Sequence, residues 1–167
     1  MTGDHPFWAF SVRVYQASGL QRSLLRAQHD CGADINFILL ALYAAQERLK
    51  PDQDKVLQVW DQSQTLREDG IYSVRELRLC WQATAELRHQ RDELLSLELK
   101  LERQLQDLLY AAFFDPRSER LPQPHIGNEV IQSPLSCLDL LPFTASTEWP
   151  SNSRAIELEF GRNAGKQ

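Results

Sequence analysis

Apolar residues recur at three- and four-residue intervals through most of the first 114 positions, the spacing that lines one face of a helix. The first stretch predicts a helix capped by Asp4, with Pro6 in its opening turn and Phe7, Trp8, Phe10, Val14 and Tyr15 on its apolar side, stopped by Ser18-Gly19. A second helix is expected from Leu20 to about Asp30, burying Leu20, Leu24 and Leu25, with Gly32 as the left-handed residue that closes it. From Ile35 to Leu49 the chain is apolar almost all round until Gln46-Glu47-Arg48, as a central helix surrounded by others would be, and Pro51 ends it. Val56, Leu57, Val59 and an inward-facing Trp60 mark a fourth helix from about Asp54 to Arg67, ended by Glu68-Asp69-Gly70.

Between Ser73 and Phe114 there is neither proline nor glycine, and Leu87, Leu94, Leu101 and Leu108 recur every seven residues. This predicts one long helix, or a helical hairpin if the polar run from Thr84 to Arg91 breaks it. Six of the eight prolines follow Asp115, so regular helix should stop there. Residues 134–143 could form a docked helical turn, and Ala155–Phe160 (AIELEF) alternates like a short strand. The expected architecture is therefore all-α: a helical bundle around a buried central helix, one long helix or helical hairpin, and an irregular C-terminal tail. In domain terms this gives a helical unit over 1–114 and a proline-rich segment over 115–167, partly docked or disordered.

At 167 residues the chain can bury a core of its own. A formal charge of −5 offers no broad positive field for nucleic acid. The longest apolar run, residues 37–45, is far too short for a bilayer. The N-terminal residues show no basic segment leading into an apolar one, so no secretory signal is expected. Three widely spaced cysteines, Cys31, Cys80 and Cys137, fit neither a disulfide framework nor a zinc site and suit a cytoplasmic protein.

The densest chemistry lies at the junction of the second and third helices, Gln28-His29-Asp30-Cys31-Gly32-Ala33-Asp34-Ile35-Asn36. A structural account explains much of it: Gly32 closes one helix, Asp34 caps the next, and Cys31 packs as a small hydrophobe. The same polar groups beside an apolar helix could instead bind a ligand, with Gln28, Asp30, Asp34 and Asn36 as contacts and Trp8 and Tyr15 as walls. Asp30 and Asp34 also spell DxxxD, which on one continuous helix would place both carboxylates together for magnesium. Gly32 lies inside that motif and no second acidic motif accompanies it, so no metal or other cofactor is assigned. Familiar nucleophile, zinc and phosphate-loop motifs are absent. Arg75, Arg78, Arg88 and Arg91 sit among acidic residues, which predicts a solvated face of mixed charge.

Phe7-Trp8-x-Phe10-Ser11 with Tyr15 and Gly19, followed by Gln28-x-Asp30-x-Gly32-Ala33-Asp34-Ile35-Asn36 and the apolar Phe37 to Leu42, resembles a family of bacterial proteins, mainly Gram-negative, defined as a domain of unknown function. The resemblance covers roughly residues 7–78, with Val74-Arg75-x-Leu77-Arg78 as a weaker echo, and implies a cytoplasmic bacterial protein with no assigned activity or catalytic residues. The leading expectation is a non-enzymatic interaction module, in which Leu87, Leu94, Leu101 and Leu108 pair with a second copy or with another protein. The alternative is a small-molecule- or metal-binding enzyme with its pocket at the Asp30/Asp34/Asn36 junction.

Overall fold

The computed structural model describes residues 5–115 and 134–164. Among them every regular element is helical: α1 (Pro6–Tyr15), α2 (Ser18–Cys31), α3 (Ile35–Gln46), α4 (Gln53–Gln62), a π-helical segment (Leu66–Tyr72), α5 (Ser73–Cys80), a 3-10 turn (Ala85–Leu87), α6 (Arg88–Phe113), α7 (Leu135–Leu138) and α8 (Trp149–Ala164). None is long and apolar enough to cross a membrane.

α3 is the centre, as its all-round apolar sequence requires: every residue from Asn36 to Ala44 is buried. Its start is set by Asp34, whose Oδ1 accepts from the backbone N–H groups of Asn36 (2.8 Å) and Phe37 (3.3 Å). Gly32 closes α2 with a φ of 63°, a conformation in which a Cβ would crowd the following carbonyl. At its other end α3 stops before Pro51 can act. Arg48 turns left-handed at φ 56°, and the amide of Leu49 returns to the Ala44 carbonyl at 2.8 Å while that of Arg48 returns to Ala45.

Several boundaries differ from the sequence reading. Asp4 lies outside the described residues, and α1 is capped by His5, whose Nδ1 accepts from the Trp8 amide. That leaves the proton on Nε2, which donates to Asp107 Oδ1 at 3.0 Å. Ser18 and Gly19 open α2 instead of stopping α1, which already ends at Tyr15. Gly70 ends nothing: it lies within the π-helical segment, where a Cβ would stand 3.7 Å from Leu101 Cδ1 on α6, an ordinary packing distance that an alanine could occupy. Ser73 Oγ donates to the Glu68 carbonyl beside this widened turn.

The stretch from Ser73 to Phe114 is a hairpin. The chain breaks after Cys80 and re-enters helix through the 3-10 turn, within the polar interruption, and α6 folds back along α5 and the π-helical segment. Leu101 and Leu108 of the heptad pack against the protein's own core, while Leu87 and Leu94 are half-buried. Residues 134–164 hold two helices, α7 and α8, joined by turns over 139–148, and Ala155–Phe160 is the middle of α8, not a strand. α8 lies along α2 and α7 touches α3; Leu138, Trp149 and Ile156 are buried in the same core as Phe37. A short apolar–polar alternation cannot by itself separate a strand from a helix lying on a half-buried surface.

Candidate functional site

A cleft of about 450 Å³ opens between α1, α2, α3 and the α5–α6 hairpin. Its walls are chiefly apolar, from Trp8, Val12 and Tyr15 of α1, Ile35 and Leu39 of α3, and the hairpin leucines Leu79, Leu95 and Leu99. These leucines are among the most exposed large hydrophobics of the chain, Leu99 at 50% and Leu79 at 49%. They rim a concave surface and do not extend the heptad stripe. Trp8 is held from behind by Arg103, whose guanidinium carbon lies 4.6 Å from the ring centroid.

The polar groups converge from one side. On α6, Glu98, Glu102 and Gln106 follow one another at four-residue spacing and so share a face. Arg75 of α5 donates from Nε to Glu98 Oε1 at 2.7 Å and from Nη2 to Glu102 Oε1 at 2.5 Å; Arg78 donates to Glu98 Oε2 at 2.6 Å. The expected solvated mixed-charge face is thus overturned for Arg75 and Arg78, which turn inward because closing the hairpin puts them opposite two α6 carboxylates. One turn further along α6, Gln106 Nε2 donates to Asn36 Oδ1 at 2.8 Å.

Two polar atoms of the residues lining this cleft have no partner. Gln106 Oε1 and Ser11 Oγ are buried without a hydrogen bond, in residues only 4% and 3% exposed. Orphaned polar atoms of this kind are uncommon because each forfeits its hydration. Ser11→Ala should therefore stabilise the fold by about 1 kcal/mol, removing an unsatisfied hydroxyl from a helix interior, read as a rise of roughly 2–4 °C in Tm.

The two carboxyls on α6 are driven apart. Burial works against the charge of Glu98, but hydrogen bonds from Arg78 and Arg75 outweigh it and hold the group below the ordinary value of 4.5. At Glu102 burial dominates; the attraction of Arg75 is opposed by Glu98 and Asp34, and the carboxyl is raised above that value. A raised carboxyl binds more protons folded than unfolded, so its ionisation weakens the fold as pH climbs from the ordinary value through the raised one. Glu102→Gln should flatten this fall, leaving the variant more stable than the parent above that window; urea midpoints across a pH series measure it.

Of the residues singled out in the sequence, Trp8, Tyr15, Gln28 and Asn36 line the cleft. Asp34 does not: it is 2% exposed and spent on the α3 cap and on Tyr72, whose hydroxyl donates to Asp34 Oδ2 at 2.6 Å. Burial chiefly, and then Asp34, push the Tyr72 hydroxyl well above its ordinary pKa. Asp30 stands apart on α2, where His29 first and Arg26 second lower its pKa by hydrogen bonding. The left-handed Gly32 separates the two aspartates, so the DxxxD arrangement on one helix does not form. Among the described residues no three His, Cys, Asp or Glu side chains gather as a metal site. Ser11, Arg75, Glu98, Glu102 and Gln106 were not recognised in the sequence as cleft residues; the i, i+4 polar positions inside a leucine-rich helix were the available signal.

A second, more open cleft of about 630 Å³ adjoins the first, lined by Gly32, Ala33, Tyr72, Glu76 and Cys80. Gln28, Arg75 and Leu79 line both.

Residues 6–109 match the family described as "Protein of unknown function (DUF2390)". The chain belongs to this family. The family span runs from α1 through most of α6 and so includes every residue of both cleft linings, whereas α7 and α8 lie beyond it. It also reaches about thirty residues beyond the stretch on which the sequence resemblance rested. Neither a curated protein nor a solved structure matches the chain.

Proposed function

We propose that this chain binds a small molecule with an apolar body in the cleft between α1, α3 and the α5–α6 hairpin. The observation that carries the reading is the pair of unpartnered buried polar atoms, Ser11 Oγ and Gln106 Oε1, in a chiefly apolar concavity of ligand size. A folded chain gains nothing from leaving them unsatisfied; a ligand that donates hydrogen bonds there recovers what burial costs. Glu102, a carboxyl raised by burial inside the same cleft, is the group best suited to take up or release a proton should the ligand be a substrate. Asp30 and Asp34 have no part in this site, and a metal-dependent reaction is not proposed.

A second reading, an interaction module that pairs through its long helix, is favoured by the exposed Leu77 and Leu97, at 41% and 43%, which lie on the hairpin outside the cleft linings. We place either activity in a reducing cytoplasm, where the free and exposed thiol of Cys80 would be stable. Native mass spectrometry of freshly purified protein tests both. A monomer carrying an extra small mass supports the cleft, a bare dimer supports pairing through the hairpin, and a bare monomer that takes up no apolar probe overturns the cleft reading.

A further inference from the structure

Resting on the cleft reading, we infer that the ligand carries a primary ammonium group on its apolar body, with the ammonium held by Ser11, Glu102 and Gln106. The argument is a count of donors and acceptors. An ammonium brings three N–H donors and no acceptor. The cleft offers Gln106 Oε1 and Ser11 Oγ unpartnered and buried, together with the Glu102 carboxylate, one oxygen of which accepts from Arg75 and which keeps further acceptor sites. Of the cleft-lining atoms buried without a partner, Gln106 Oε1 can only accept, and the Ser11 hydroxyl can accept as well as donate. An anionic ligand would need several donors, and the two guanidiniums that could serve are turned onto Glu98 and Glu102. A ligand carboxylate there would face both glutamates and the acceptor-only Gln106 Oε1, with the Ser11 hydroxyl alone to donate to it.

The position of these groups suits a cation also in charge. Arg75 approaches Glu102 from α5, Glu98 stands one turn away on α6, and Asp34 acts on it from the start of α3. Two cations, Arg75 and Arg78, thus meet three carboxyls, Glu98, Glu102 and Asp34, and the ionised form of Glu102 would be favoured by a further cation. Gln106 is held in place by its bond to Asn36, so its free oxygen is presented without loss of side-chain freedom on binding. Trp8 and Tyr15 flank the cleft with ring surface, and Leu95 and Leu99 cover an alkyl or aralkyl body.

Isothermal titration of the full-length chain with n-octylamine, octan-1-ol and octanoate at neutral pH decides the matter. The expected result is octylamine at least tenfold tighter than octanol, with octanoate weakest. Glu102→Gln and Ser11→Ala should each weaken octylamine by about tenfold and leave octanol unchanged, a pattern that a merely unfolded variant would not give. Octanol or octanoate equal to or tighter than octylamine overturns the ammonium inference and leaves the cleft reading standing. Failure of all three to bind overturns both.

Discussion

Glu98→Gln is expected to destabilise the fold by about 3–5 kcal/mol, because inside the hairpin it leaves Arg78 facing a neutral amide and Arg75 with Glu102 as its remaining carboxylate. The Glu98 side chain is 6% exposed, and Arg75 and Arg78 are 20% and 25% exposed, so solvent cannot replace what the carboxylate supplies. The loss should appear as a lower urea midpoint at unchanged slope. Glu98 is a carboxyl lowered in the folded state: it binds fewer protons folded than unfolded, so its contribution is fully present above the unfolded-state value and disappears as pH falls through the folded one. The gap between parent and variant should therefore close on acidification. A gap that stays constant to acid pH would mean that the ion pairs with Arg75 and Arg78 are not its source.

Asp34→Ala is expected to cost about 1.5–5 kcal/mol. The helix cap accounts for about 0.5–2 of this, and the hydroxyl of Tyr72, left without its acceptor, for about 1–3. The two oxygens divide the work, Oδ1 holding the start of α3 and Oδ2 receiving Tyr72 at 2.6 Å. A thermal melt of the single variant should show Tm lower by roughly 5–15 °C. Adding Tyr72→Phe should recover the hydroxyl share and leave only the capping loss. Additive losses in that double-mutant cycle would show that the contact carries no coupling. Because Asp34 lies behind the cleft, both variants should retain octylamine binding at temperatures where they remain folded, which separates its structural role from that of Glu102.

The helix junction illustrates how much could be read locally. Gly32 needs the left-handed region and Asp34 needs free amides, and both requirements are met within three residues in the chain, so the closing of α2 and the start of α3 were legible. The all-round apolar Ile35–Leu49 stretch likewise announced a central helix, since no face of it could be left in water. The pairing of Asp30 was within reach of the sequence, since Arg26 lies one turn earlier on α2 and donates to it at 3.1 Å, the i, i+4 spacing that a helix brings together. Arg67 was hidden. The π-helical segment beginning at Leu66 shifts the register by which side chains are assigned to faces, and Arg67 lies 1% exposed, its guanidinium 3.3 Å from the centre of the Trp60 ring and donating to the Trp60 carbonyl.

By itself, then, the sequence determined the class of the fold, the central helix, the first helix junction and the cleft residues Trp8, Tyr15, Gln28 and Asn36, all through signals that act within one or two helical turns. Only the tertiary structure decided that the long leucine-rich stretch folds back as a hairpin and that Arg75 and Arg78 meet Glu98 and Glu102. It also decided that Gln106 reaches Asn36 across seventy positions of chain and that the oxygens of Ser11 and Gln106 are left without partners. Those outcomes depend on which faces meet when separate helices pack, and helical periodicity specifies that a face is apolar without specifying what it will touch.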